Sequence, residues 1–171
     1  NEDPQAEQRR RRKERLMKLV DLTAGFYAKF LWDSNEAAKA RDYLSGRGLQ
    51  EEVLREFRVG YSPSAWDRVL VGAQRDGFSP PELVAAGLAQ RGDRGGLYDR
   101  FRGRIMFPLA DARGRVLGFG ARAMREDQTP KYLNTSENEI YHKGRQLFGI
   151  DLARAHAARS GRIVVVEGYT D

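Results

Sequence analysis

Apolar positions recur at two different periods along this chain, and the change of period near Gly92 divides it. Leu16, Leu19, Val20, Thr23, Phe26, Tyr27, Phe30 and Leu31 fall three and four apart, which predicts one long amphipathic helix. Asp33 and Glu36 have capping-box spacing and open a second helix, expected to run through Tyr43 and Leu44 and to stop at Gly46 or Gly48. A short helix from about Gln50 to Phe57, a turn at Gly60-Tyr61-Ser62-Pro63 and a helix from Trp66 to Gln74 follow. Ser79-Pro80-Pro81-Glu82 is a second capping box, with proline in the first turn of a helix that ends near Gly87. No catalytic constellation sits on these helices, so packing is their expected role.

Beyond Gly92 the pattern becomes that of strands. Arg104-Ile105-Met106-Phe107-Pro108-Leu109 and Arg115 to Met124 read as an antiparallel pair joined by a turn at Asp111-Ala112-Arg113-Gly114. Gly118, Gly120 and Arg122 share one face of the second strand, and the missing side chains leave that face bare for another backbone or a flat ligand. Polar sequence from Gln128 to Ser136 connects to Leu147-Phe148-Gly149-Ile150, and a helix is expected over about Asp151 to Ala158. Ile163-Val164-Val165-Val166 then reads as a strand buried on both faces, as in a parallel sheet, with Glu167 and Gly168 at its C-terminal end.

Composition narrows the class of partner. The 171 residues carry a net charge of +6, with a sequence pI near 9.8. Residues 91–145 hold twelve Arg/Lys against seven Asp/Glu, so five of the six net charges lie in that third of the chain. Guanidinium groups pair bidentately with phosphate, which favours a polyanionic partner. The run Arg9-Arg10-Arg11-Arg12-Lys13 reads instead as a solvated helix start or linker. The absence of cysteine excludes disulfides and cysteine-ligated zinc within these residues and suits a reducing compartment. No apolar run approaches the roughly 20 residues that cross a bilayer, so no membrane partner is expected. A first residue other than methionine, and an end close to the most informative motif, lead us to expect a fragment.

The candidate chemistry is concentrated at the end of the chain. There is no P-loop and no nucleophile system of the Ser/His/Asp or Cys/His kind, and with two histidines, His142 and His156, no histidine metal site is expected. What is left is an acid pair at a strand end, Glu167 and Asp171, behind a basic, glycine-rich lead-in. Few carboxylates beside a polyanion suit divalent-metal phosphoryl chemistry. A basic module that only binds nucleic acid, without catalysis, fits the same residues.

Several motifs together resemble bacterial DNA primase. They are Tyr98-Asp99-Arg100-Phe101-Arg102-Gly103-Arg104-Ile105-Met106-Phe107-Pro108, Gly118-Phe119-Gly120-Ala121-Arg122, Pro130-Lys131-Tyr132-Leu133-Asn134, Lys143-Gly144-Arg145-Gln146-Leu147-Phe148-Gly149 and Val166-Glu167-Gly168-Tyr169-Thr170-Asp171. The last is similar to the first acidic motif of the toprim fold, and the order and spacing match from about Ala37 onward. The resemblance implies an α+β fold, with a helical and β-hairpin N-terminal subdomain over 15–140 and the start of a truncated α/β toprim domain over 141–171. Residues 1–14 would be a linker, following a zinc-binding domain that lies outside this chain.

The function so implied is synthesis of short RNA primers from nucleoside triphosphates on single-stranded DNA, in the cytoplasm, with Mg²⁺ or Mn²⁺. A replicative helicase would be met through a further domain, also outside this chain. Glu167 would serve as metal ligand or proton-transfer group and Asp171 as its neighbouring acid. Arg47, Arg102, Arg104, Arg122, Lys131, Tyr132 and Lys143 would hold template and nucleotide. Ala121 departs from the glycine usual in that family, and the Asp-x-Asp motif that completes its metal site lies beyond Asp171. Another toprim enzyme, a topoisomerase or nuclease, would share the Glu-Gly strand end but not the Arg-Phe-Arg-Gly-Arg hairpin.

Overall fold

The computed structural model describes residues 3–150 together with the backbone of 163–165. Helix α1 spans Pro4–Asp33, with Asp3 as N-cap accepting a hydrogen bond from the Gln5 N–H at 3.1 Å. Its buried stripe is Leu16, Leu19, Val20, Thr23, Ala24, Tyr27 and Leu31, the predicted face. The expected linker over 1–14 is thus helical from Pro4, and its basic run is largely tied to the protein's own acids. Arg10 and Arg11 pair with Glu7, Arg12 reaches Glu139 through two bonds of 2.7 and 2.8 Å, and Arg15 reaches Glu82 at 2.6 Å. Intramolecular pairing on this scale supports the solvated reading of that run over a phosphate grip.

A 3₁₀ turn over Asn35–Ala37 leads into α2 (Ala38–Gly46). The capping box expected from Asp33 does not form, because Asp33 still belongs to α1. Ser34 caps the turn instead, accepting from the Glu36 N–H at 3.0 Å, and Glu36 accepts from both the backbone N–H and the hydroxyl of Ser64. Helices α3 (Glu51–Glu56), α4 (Arg68–Arg75) and α5 (Pro80–Ala85) follow, and the Ser79–Glu82 capping box is present in full. Trp66, predicted to start a helix, lies in the loop before α4.

Among the described residues, eight short strands complete the fold. They are β1 (Gly60–Tyr61), β2 (Ala89–Arg91), β3 (Leu97–Asp99), β4 (Arg104–Ala110), β5 (Val116–Ala123), β6 (Tyr132–Asn134), β7 (Phe148–Ile150) and β8 (Ile163–Val165). β2 and β3 form a separate hairpin, while the main sheet runs β6-β5-β4-β7-β8 with β1 also paired to β4. Every strand pair among the described residues is antiparallel. This corrects the expectation for the last strand: β8 pairs antiparallel with β7, Phe148 opposite Val165, rather than entering a parallel sheet. β7 itself joins the predicted hairpin through Ala110 opposite Phe148.

Pro108 sits in the middle of β4 without costing a hydrogen bond. Its partner Phe119 turns both N–H and C=O toward Thr135, at 2.8 Å each. Opposed residues of such a pair face away from each other, so Pro108 points its nitrogen into the gap between β1 and β7.

Apolar packing covers both faces of β4. Met106 joins a core with the front of α1, α4, α5, Phe101 and Phe119, whereas Ile105, Phe107 and Leu109 join the end of α1, α2, α3, Tyr141 and Leu147. Gly60 lets β1 lie against α1, because a Cβ there would overlap the backbone of Tyr27. The bare face at Gly118 is filled from within the chain: the ring of Tyr141 and the hydroxyl of Thr135 occupy it, so no flat ligand has access.

Candidate nucleic-acid interface

Of the motif residues, Arg100, Arg102, Gly103 and Arg104 line one wall of an open cavity of about 610 Å³. Ser62, fully buried, fixes the start of β4. Its N–H donates to the Arg104 carbonyl at 2.9 Å, and the Arg104 N–H donates to its hydroxyl at 3.0 Å. Gly103 takes φ +59° and donates to the Ser62 carbonyl at 2.8 Å, a left-handed turn that glycine adopts freely. This turn delivers Arg100, Arg102 and Arg104 to the same cavity.

Asp99 holds the opposite wall. Its N–H donates to the Trp66 carbonyl at 2.7 Å, and its carboxylate accepts the N–H groups of Val69 and Leu70 at 2.9 Å each. Those are orphan donors of the first turn of α4, so one buried carboxylate caps the helix and fixes the loop that carries Trp66. Burial pushes its carboxyl up to about 6, against the opposing pull of the two N–H groups.

Trp66 is 60% exposed, an unusual position for so large an apolar ring. The Arg102 guanidinium lies 3.8 Å from its ring centre and 5.0 Å from that of Tyr98, and the two rings meet edge to face at 5.2 Å. Arg102 also donates to the Asp99 carbonyl at 2.5 Å, and Gln128 donates to the Arg102 carbonyl at 2.8 Å. Arg100 is held by Gln90 at 3.0 Å and by the Asn134 carbonyl at 2.6 Å.

Arg104 is the exceptional group. It is 4% exposed, and its buried Nη1 has no hydrogen-bond partner among the described residues. None of Arg100, Arg102 and Arg104 has a described carboxylate within ion-pair distance. Burial lowers the pKa of all three, and for Arg104 the charges of Arg102 and Arg100 lower it further. Buried charge without a counter-charge is costly. An anion in the cavity would relieve the desolvation and the mutual repulsion together.

A second basic and aromatic group lies on the other face of the sheet. Arg122 pairs with Ile105 on one side and Tyr132 on the other, so these three share a face that Arg104 and Leu133 do not. The Arg122 guanidinium lies 4.2 Å from the ring centre of Tyr43 and 6.0 Å from that of Tyr132. Arg47 approaches the same Tyr43 ring at 5.9 Å, and Lys131 approaches Tyr132 at 5.7 Å.

The predicted basic set is therefore divided: Arg102 and Arg104 on one face, Arg47, Arg122, Lys131 and Tyr132 on the other. Lys143 joins neither group. It is exposed on the loop before β7, where its N–H and the His142 ring meet Glu137 at 2.8 and 2.7 Å. Glu167 and Asp171 lie outside the described residues. Within those residues no cluster of three or more His, Asp or Glu could hold a metal ion, and no helix is long and apolar enough to cross a membrane.

Trp66, Arg100, Gln128, Asp99 and Tyr43 carry this geometry without having been singled out as site residues from sequence. A tryptophan outside any apolar period, between the polar Ser64 and Asp67, was the available signal for the first of them.

Arginines gathered beside aromatic rings, on the two faces of one antiparallel sheet, give this α+β domain two basic surfaces among the described residues. The chain belongs to the family described as DNA primase catalytic core, N-terminal domain, which matches residues 26–154. It is 47% identical to the DNA primase of Streptomyces coelicolor over 158 residues, 92% of this chain and 24% of that protein. Among solved structures it matches the RNA polymerase domain of Mycobacterium tuberculosis primase DnaG, in complex with a double-stranded DNA oligomer with a 6-nucleotide overhang. There the TM-score is 0.80 at 32% identity, over 90% of this chain and 55% of that one. It also matches a DnaG primase catalytic domain bound to single-stranded DNA, with TM-score 0.71 and 45% identity, over 80% and 43% of the two chains. The chain thus spans about a quarter of the length of its curated relatives.

Proposed function

We propose that this chain is the part of a primase that grips the single-stranded DNA template, within an enzyme that makes RNA primers from nucleoside triphosphates. The observation that carries the reading is Trp66: an exposed ring backed by Arg102, lining one cavity with Arg100 and Arg104, which have no described carboxylate within ion-pair distance. Such a surface tracks phosphates with its cations and stacks a base on its ring, which gives sequence-tolerant binding of single strands. The relatives' complexes with DNA support it. On this reading Arg47, Arg122, Lys131 and Tyr132, on the opposite face, contact phosphate of the nucleotide or the template, and Lys143 would meet phosphate separately, on the loop before β7.

The catalytic step would use the toprim domain that we infer to begin near Tyr141. Glu167 and Asp171 are the residues of this chain proposed to hold Mg²⁺ or Mn²⁺. A bound divalent ion would stabilise the attacking and leaving oxygens of nucleotidyl transfer. Contact with a replicative helicase, and a place at the replication fork in the cytoplasm, belong to the same proposal for the whole enzyme.

The test uses the full-length protein. Trp66→Ala is expected to weaken binding of a single-stranded oligonucleotide by about 5- to 150-fold, the 1–3 kcal/mol of one stacked base. Arg102→Ala should lower the slope of log affinity against log salt by about 0.7. Glu167→Gln should keep binding and lose primer synthesis. Wild-type affinity and salt slope in the first two variants would refute the template-binding reading.

A further inference from the structure

Arg122 is held in a way that leaves its charge intact. No described carboxylate lies within ion-pair distance of it, and its buried Nε has no hydrogen-bond partner among the described residues. The one side-chain hydrogen bond it makes to a described residue runs from Nη1 to the neighbouring Ala123 carbonyl at 3.1 Å. Its guanidinium carbon lies over the ring of Tyr43, 4.2 Å from the ring centre, on α2, a segment 79 positions earlier in the chain. Aromatic support fixes a guanidinium through its face and spares the N–H edge, whereas a carboxylate would occupy that edge and cancel the charge.

The same ring receives a second cation. Arg47 follows Tyr43 by four residues and sits 5.9 Å from its centre. Two guanidinium groups gathered at one ring, with no described carboxylate in ion-pair reach of either, repel unless an anion joins them.

We propose that Tyr43 is a positioning residue: its ring sets the Arg122 guanidinium, with Arg47 beside it, to receive one phosphate group. The inference rests on the reading above that Arg122 contacts phosphate. That group belongs either to the incoming nucleoside triphosphate or to the template backbone, and the two sources separate in the assay.

The experiment compares Tyr43→Phe, Tyr43→Leu, Arg122→Ala and the Tyr43→Leu/Arg122→Ala double variant in full-length protein. Oligonucleotide affinity and the KM for nucleoside triphosphates are measured alongside kcat. Phe keeps the ring and should match wild type. Leu keeps apolar bulk without the ring, and should raise KM or weaken DNA binding by about 2- to 30-fold, the range of one cation–π contact, with kcat unchanged. A rise in KM alone assigns the phosphate to the nucleotide, and a loss of DNA affinity alone assigns it to the template. In the Arg122→Ala background the Leu substitution should have no further effect, which a merely structural role for Tyr43 would not reproduce. A Leu variant equal to wild type while Arg122→Ala is impaired overturns the inference, as does a Phe variant as weak as Leu. An Arg122→Ala variant with wild-type constants overturns instead the reading that Arg122 meets phosphate.

Discussion

Replacing Asp99 by asparagine should change how stability depends on pH more than it changes stability at any one pH. Asp99 is 1% exposed, and its carboxyl is pushed up to about 6 from an ordinary 3.8, chiefly by burial. Asp67 adds to that rise, while the Val69 and Leu70 N–H groups and Arg102 oppose it. At 1.36 kcal/mol per tenfold change in proton affinity, the difference is about 3 kcal/mol. The folded state binds this proton more tightly than the unfolded chain, so the folded protein holds more protons between those two values. Stability from this group is therefore fully present below about pH 4 and is lost as pH rises through 6.

Asparagine has the same shape without the titration. It leaves one of the two α4 N–H groups without an oxygen, at about 1–3 kcal/mol. Its expected stability is thus close to that of wild type at pH 7, or modestly above it. Urea unfolding followed by tryptophan fluorescence at pH 4 to 8 measures the difference. Wild type should lose about 3 kcal/mol relative to Asp99→Asn across that range. Parallel curves for the two proteins would refute the claim that Asp99 ionises at a cost inside the fold.

Two further outcomes test the packing and the capping. Gly60→Ala forces a Cβ into the backbone of Tyr27 and should cost about 1–3 kcal/mol, a fall in Tm of roughly 2–12 °C by calorimetry. Ser79→Ala removes the cap of α5 and should cost about 1 kcal/mol, independent of salt because the Arg15–Glu82 pair is untouched.

Much of the helical frame was legible because its signals are local. The stripe from Leu16 to Leu31 and the Ser79–Glu82 box depend only on spacing within a helix, and both are present as read. The Asp33–Glu36 spacing misleads because a capping box needs its first residue outside the preceding helix, and α1 includes Asp33. The role of Trp66 is not local: Asp99, 33 positions later, tethers its loop by the Trp66 carbonyl and caps the next helix. The direction of the last strand was misjudged for a similar reason: four β-branched residues indicate burial on two faces, and say nothing of which neighbour they pair with.

Sequence alone determined the kinds of group available: arginines in excess over acids between 91 and 145, tyrosines among them, a tryptophan upstream at Trp66, and a hairpin to carry the arginines. Which of those groups stand together was decided by a single extra residue. β5 bulges between the pairs Leu109–Gly118 and Ala110–Val116, where Leu117 has no partner of its own. Had the Ala110–Val116 register continued unbroken, six steps along each strand would have set Arg104 directly opposite Arg122, on one face. The bulge instead sets Arg104 opposite Ala123 and Arg122 opposite Ile105, so the two arginines leave the sheet on opposite sides. Side chains alternate along a strand, so a shift of one residue moves every later group to the other face. Only the tertiary structure, where Tyr141 and Thr135 press into the bare backbone at Gly118, shows the contacts this register makes.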